Sequence, residues 1–207
     1  MRRWSVLALV GPTLSYRTIG TAAVAVKPDF AHLERPAVGL GAQVQRQLSG
    51  RWALVAGVGY HEYATRLALQ LGDTLHLSQR DTYRLLTLPV QLSYALGAPR
   101  GRLAPALLLG TEAGWYQGGR STEGSTCSCQ QQTYTAAKSP YRPWSLALSL
   151  GLDLRYHLRG PASRWQWVVQ ATGRYVLTPF VAPDSVQFAP RHPFSVGVLT
   201  GFSWDIR

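Results

Sequence analysis

The residues of this chain that could do chemistry are arranged for ion pairing rather than for bond making. Glu112 and Arg174 sit at polar positions of two segments that otherwise alternate with apolar residues, each nine or ten residues from a short turn. Their side chains should therefore stand at similar height, with Ser149 between them. Asp153, Arg155 and Asp205 fall nearer the short turns and form a second, lower set. An enclosed charge without a partner is costly, so both sets are expected to pair and to fill an interior. Catalytic patterns are missing: there is no glycine-rich phosphate loop, no G-x-S-x-G elbow and no His/Cys cluster. Cys127 and Cys129, the two cysteines, are too close for an unstrained bridge and read as loop thiols without a role. No metal or cofactor is expected.

The elements that must hold these charges are strands. From Trp144 to Leu158 two residue classes alternate without error. Trp144, Leu146, Leu148, Leu150, Leu152, Leu154, Tyr156 and Leu158 share one parity; Ser145, Ala147, Ser149, Gly151, Asp153, Arg155 and His157 share the other. Successive strand side chains point to opposite faces, so one face is apolar and the other small or polar. The apolar face carries a ring toward each end, Trp144 and Tyr156. Twelve residues at ~3.3 Å rise and ~40° tilt set those rings roughly 30 Å apart, the height of an outer-membrane apolar band with its aromatic girdles.

The same reading gives strands over about 4–17, 36–48, 51–67, 81–96, 103–117, 144–158, 164–177 and 194–206. Trp165, Tyr175 and Trp204 fall on the apolar parity and extend the girdles. Segment 103–117 is the weakest, because Ala104, Ala106 and Leu108 blur its alternation. Pro12, Pro89 and Pro105 each remove a ladder donor; at Pro89 a bulge or water would have to satisfy the freed carbonyl. Connections alternate in length. Residues 48–51, 97–102 and 159–163 are short turns, whereas 18–35, 68–80, 118–142 and 178–193 are long and polar. Residues 119–135, rich in Ser, Thr, Gly and Gln, are expected to be the least ordered.

The opening Met1-Arg2-Arg3, an apolar run and Ala23-Val24-Ala25 also have the layout of a signal peptide. The polar interval 15–21 is long for that layout, and removing the segment would delete a well-patterned strand. It is read as a strand, with any export signal lying outside this sequence.

Composition agrees with a membrane barrel. Hydrophobic residues make up 46% and charged residues 15%, against about 25% charged in soluble domains. Mean hydropathy is only −0.06, and no apolar run is long enough for a membrane helix. The net charge of +11 and pI near 10.3 raise nucleic-acid binding, but the arginines are scattered. Many sit at short turns (Arg51, Arg100, Arg102, Arg159, Arg164), where anionic lipid headgroups could meet them. No nucleic-acid partner is expected.

The strands resemble the outer-membrane β-barrel domain of the Bacteroidetes type, in the PorT-like, OmpX/OmpA-like superfamily. The matching pieces are Trp4-Ser5 through Gly11-Pro12 with Ser15-Tyr16-Arg17, Arg51-Trp52 with Gly57-Val58-Gly59-Tyr60, and Arg174-Tyr175 with Pro193-Phe194-Ser195-Val196-Gly197. The most specific is Tyr83-Arg84-Leu85-Leu86-Thr87-Leu88-Pro89-Val90-Gln91-Leu92-Ser93-Tyr94. The resemblance implies insertion by the outer-membrane assembly machinery, which reads the last strand. Gly201-Phe202-Ser203-Trp204-Asp205-Ile206 is similar to that signal, although the chain ends in Arg207 rather than an aromatic residue.

The expectation is one domain over 1–207, all-β: an eight-stranded antiparallel up-and-down transmembrane β-barrel with a side-chain-filled lumen, integral to the bacterial outer membrane, termini periplasmic. Its partners would be outer-membrane lipid and lipopolysaccharide, the assembly machinery and an envelope protein. Its role would be structural or interactive: envelope integrity, adhesion or docking through extracellular loops. Two alternatives differ in class. A soluble lipocalin-like barrel binding an apolar ligand would turn the leucines inward; Gly50-Arg51-Trp52 matches the lipocalin G-x-W but sits in a mid-chain turn. A lipid A-modifying enzyme would need Ser or His beside a carboxylate at the outer rim, where His61 is the only histidine placed.

Overall fold

Uninterrupted alternation leaves the chain little choice but extended structure. A computed structural model describes residues 4–19, 37–71, 75–97, 102–125, 128–139, 141–160, 163–178 and 191–206, and among these there is no helix. The strands are β1 (Trp4–Ile19), β2 (Ala37–Gln47), β3 (Trp52–Leu71), β4 (Leu75–Ala95), β5 (Leu103–Ser125), β6 (Ser128–Thr135), β7 (Trp144–His157), β8 (Trp165–Val176) and β9 (Arg191–Ile206). Every pairing between them is antiparallel. β1 pairs with both β2 and β9, and β4 with β5, so the sheet closes on itself as an eight-stranded up-and-down barrel. β6 stands outside the closed wall and, among the described residues, pairs only with the far end of β5. Closure leaves no open edge in the wall, a condition hydrocarbon imposes on any spanning sheet.

Short turns join β2–β3, β4–β5 and β7–β8 at one end, where Trp4 also pairs with Arg46 and Ile206. Leu48 N and Ser49 N both donate to Trp52 O at the first of these turns. In the turn after β7, Gly160 adopts φ 92°, which only glycine takes without strain. β1 is hydrogen-bonded on both sides, as a wall strand must be.

Two expected loops are instead strand. β3 and β4 continue through 68–71 and 75–80, with Leu71 opposite Leu75. Residues 118–125 and 128–135, expected to be the least ordered, form the β5–β6 hairpin with Gly118 opposite Thr135. In 118–125 and 128–135 both parities are mostly small or polar, so no hydrophobic alternation marks the strands although the ladder persists, whereas Leu67, Leu69, Leu71, Leu75 and Leu77 do alternate and prolong β3 and β4. Cys127 and most of the connections 18–35 and 178–193 lie outside the described residues; Cys129 pairs with Gly124 through its backbone.

The prolines act as missing donors without bulges. The β3–β4 ladder skips Gly57–Pro89 and Val58–Leu88 and resumes in the same register. The β1–β9 ladder likewise skips Gly11 and Pro12. The one register shift in the β4–β5 ladder lies at Arg84/Leu85, away from Pro89.

Leucines 146, 148, 150 and 152 are 37–62% exposed on the outside, while Ala147, Ser149, Gly151 and Asp153 are buried inside. This is the reverse of a lipocalin interior and overturns the soluble alternative. The interior is not wholly polar, however. Leu7, Leu9, Val168 and Leu199 pack together within it, a cluster that inward parity alone would have assigned to small or polar residues.

Candidate functional site

Inward positions place the charges, and glycines make room for them. Glu112 on β5 and Arg174 on β8 are both buried, with Arg174 Nε donating to Glu112 Oε2 at 3.0 Å. The other carboxylate oxygen lies 3.8 Å from Nε2 of buried His61, on β3. One carboxylate on β5 is therefore flanked by groups from two other strands, β8 and β3. Gly59 keeps the space open: a Cβ there would stand 2.7 Å from Thr87 Oγ1 and 3.2 Å from His61 Nε2.

Nearer the short turns, Arg155 Nε and Nη2 donate to Asp153 Oδ2 at 2.8 and 2.7 Å. Arg155 Nη2 also donates to Gln45 Oε1, from β7 across the lumen to β2. Asp205 accepts from Gln166 Nε2 at 3.1 Å. Between the two levels Gln91 Nε2 donates to Ser149 Oγ at 2.9 Å. Inward glutamines lie opposite inward glycines, Gln43 with Gly57 and Gln91 with Gly110, so each long side chain crosses a position that has none. The lumen is filled rung by rung in this way.

Sequence reasoning missed the tyrosines. Tyr63, Tyr83 and Tyr116 take inward positions toward the long-loop end, and Tyr141, from the stretch before β7, packs on them. Ring centroids lie 4.7 Å apart for Tyr83–Tyr141, 5.5 Å for Tyr116–Tyr141 and 5.7 Å for Tyr134–Tyr141. Beside this cluster Ser121 Oγ donates to buried Asp81 Oδ1 at 2.6 Å. Inward Tyr at three strand ends was a legible signal; Tyr141 was not, because it belongs to no strand. Among the described residues His61 is buried, 4% exposed, beside Glu112.

The outer face is banded. On β4 the outward run Leu86, Leu88, Val90, Leu92 lies between exposed Arg84 and half-buried Tyr94, a rise of about 25 Å along the barrel axis at ~3.3 Å per residue and ~40° tilt. Arg84 Nε is 3.5 Å from Glu62 Oε1, marking one edge of the band. Trp144 and Tyr175 lie toward that edge, opposite Trp115 and Phe194. Tyr156, Trp165 and Trp204 lie toward the short turns, where Trp165 and Trp204 stack at 6.2 Å. Outward Thr200 is satisfied within the wall: Trp167 Nε1 donates to its Oγ1 at 2.8 Å.

This fold and this banding define a class, the closed eight-stranded barrel seen in bacterial outer-membrane proteins. No protein-family model and no curated protein matches the sequence. Among solved structures the chain is similar to a major outer membrane protein from Thermus thermophilus, at 13% identity over 99% of each chain, with a TM-score of 0.52. Weaker likenesses are to Neisserial surface protein A (10% identity, 97% of this chain and 96% of that one, TM-score 0.48) and to Ail of Yersinia pestis (11%, 99% and 100%, TM-score 0.44). Identity this low speaks to the fold alone, and that argument rests on the first of the three.

Proposed function

We propose that this chain is an integral protein of the bacterial outer membrane, of the PorT-like, OmpX/OmpA-like type, with a structural or docking role. The observation that carries the membrane reading is the parity of β7: exposed leucines outside, a buried polar rung inside. Outer-membrane lipid and lipopolysaccharide would meet the apolar band, and the assembly machinery would read β9. The short-turn end, with the ends of β1 and β9, would face the periplasm. A diffusion pore is not favoured, because eight strands leave room only for side chains and these fill the lumen.

Docking is favoured over a purely structural role by what rises beyond the band. β3 and β4 continue nine residues past Glu62 and Arg84, roughly 30 Å of strand, and with the β5–β6 hairpin form a four-stranded sheet. Among the described residues β6 pairs only with β5. Its sequence SCQQQTYT carries neither charge nor proline, the usual devices that blunt an edge strand. An extended segment of an envelope partner could add to such an edge through backbone hydrogen bonds. The test is a chain with the hairpin shortened to a tight turn after Gly118. It should still insert and show the heat-dependent gel shift of a folded barrel, yet fail to restore detergent resistance to cells lacking the protein. Full restoration would remove the docking role.

A further inference from the structure

The short-turn end is a collar of cations. Among the described residues Arg46, Arg51, Arg102, Arg159 and Arg164 lie there, contributed by β2 and by all three short turns. Of the carboxylates near that end, Asp205 is engaged by Gln166 and Asp153 by Arg155, both on inward positions. The long-loop end carries arginines as well, Arg80, Arg84 and Arg120 among them, with Arg84 matched by Glu62 and Asp81 buried nearby, so what sets the short-turn end apart is how its arginines are seated.

Two of these arginines are seated on the aromatic girdle. Arg46 occupies the outward parity of β2, opposite Trp4 in register, with its guanidinium carbon 5.2 Å over the Trp4 ring. Its Nε is buried and has no hydrogen-bond partner. Arg51 Nη1 donates to Tyr94 Oη at 3.2 Å, and Tyr94 in turn rests on Trp52 with centroids 4.8 Å apart. Stacking on Trp4 orients the Arg46 guanidinium and leaves its two Nη groups, not the buried Nε, to donate to a phosphate, while the Tyr94 hydrogen bond holds Arg51 with its other donors unused among the described residues. Girdle rings sit where acyl chains give way to headgroups, so the free donors lie at phosphate depth.

We propose that this rim binds the phosphodiester of anionic phospholipids in the adjoining leaflet, with fixed sites at Arg46/Trp4 and Arg51/Tyr94. The distribution favours lipid over a protein or nucleic-acid partner. The cations ring the barrel mouth instead of massing on one side, and a leaflet plane meets every point of a ring at once. The inference rests on the membrane reading above and adds to it a lipid preference at one end.

The test uses the full chain folded into vesicles of phosphatidylcholine with one-fifth phosphatidylglycerol, followed by release and a count of retained lipids by native mass spectrometry. Phosphatidylglycerol should be enriched about fivefold over the bilayer ratio, the factor that one cation near an anionic surface supplies. The variant R46Q/R51Q should fold, by gel shift, and lose the enrichment. The control R84Q/R120Q, at the opposite end, should keep it. Retention at the bilayer ratio by folded wild type would overturn the collar while leaving the membrane barrel intact. So would enrichment lost in the control and kept in R46Q/R51Q. Failure of the wild type to enter these vesicles would overturn the membrane reading itself.

Discussion

Glu112 serves two neighbours at once, and its replacement should expose how much the lumen depends on it. Glu112→Gln keeps the shape but leaves Arg174 with a buried charge facing a neutral amide. Removing one partner of a buried pair costs about 3–5 kcal/mol, mostly through the stranded charge. Unfolding by urea in detergent should therefore move to a clearly lower midpoint. Pairing Glu112→Gln with Arg174→Met should recover much of the loss, because no charge is then stranded. An unchanged midpoint in the single variant would show that the pair bears no weight. Residue types at inward parity made Glu112, Arg174, Asp153 and Arg155 visible in the sequence as partners. The His61 contact was less visible, since it depends on how two strands separated by β4 lean across the lumen.

At the scale of elements, parity was the legible quantity and strand length was not. Wherever lipid meets one face and the lumen the other, as along 146–154, alternation marks the strand without ambiguity. Past Glu62 and Arg84 the same backbone ladder continues, but in the β5–β6 hairpin both parities are mostly small or polar, so composition there imitates a loop. Segment 103–109 was blurred for another reason: Ala106 and Leu108 are buried on the inward parity while Leu107 and Leu109 face outward, so both parities are apolar. Two predictions belong here. Leu150→Arg, in mid-band and 62% exposed, should cost about 2–4 kcal/mol in lipid, whereas Leu48→Arg at the rim should cost no more than about 1 kcal/mol. Equal costs, read from unfolding in vesicles, would refute the banding. Gly110→Ala should disrupt the wall, because its Cβ would stand 2.6 Å from Gln91 Cα, which is backbone and cannot swing aside. Loss of the folded gel band is the expected readout.

The whole molecule joins a lumen held by ion pairs, a tyrosine cluster toward the long-loop end and an apolar exterior about 25 Å tall along the axis of strands tilted ~40°. Filling and banding make separate claims. Tyr141→Ala should lower stability by about 3 kcal/mol, as loss of a packed aromatic does. It should not produce conductance in a planar bilayer, since Leu7, Leu9, Val168 and Leu199 still occupy the interior. Steady channels in that variant would mean that the tyrosines alone seal the barrel.

All seven tryptophans, Trp4, Trp52, Trp115, Trp144, Trp165, Trp167 and Trp204, are 43–54% exposed on the outer face. They make the chain its own depth gauge. Folded into vesicles whose acyl chains carry bromine, the unmodified protein should lose most of its tryptophan emission, more with bromines near the headgroups than near the bilayer centre. Emission indifferent to bromine at every depth would contradict an exterior immersed in lipid.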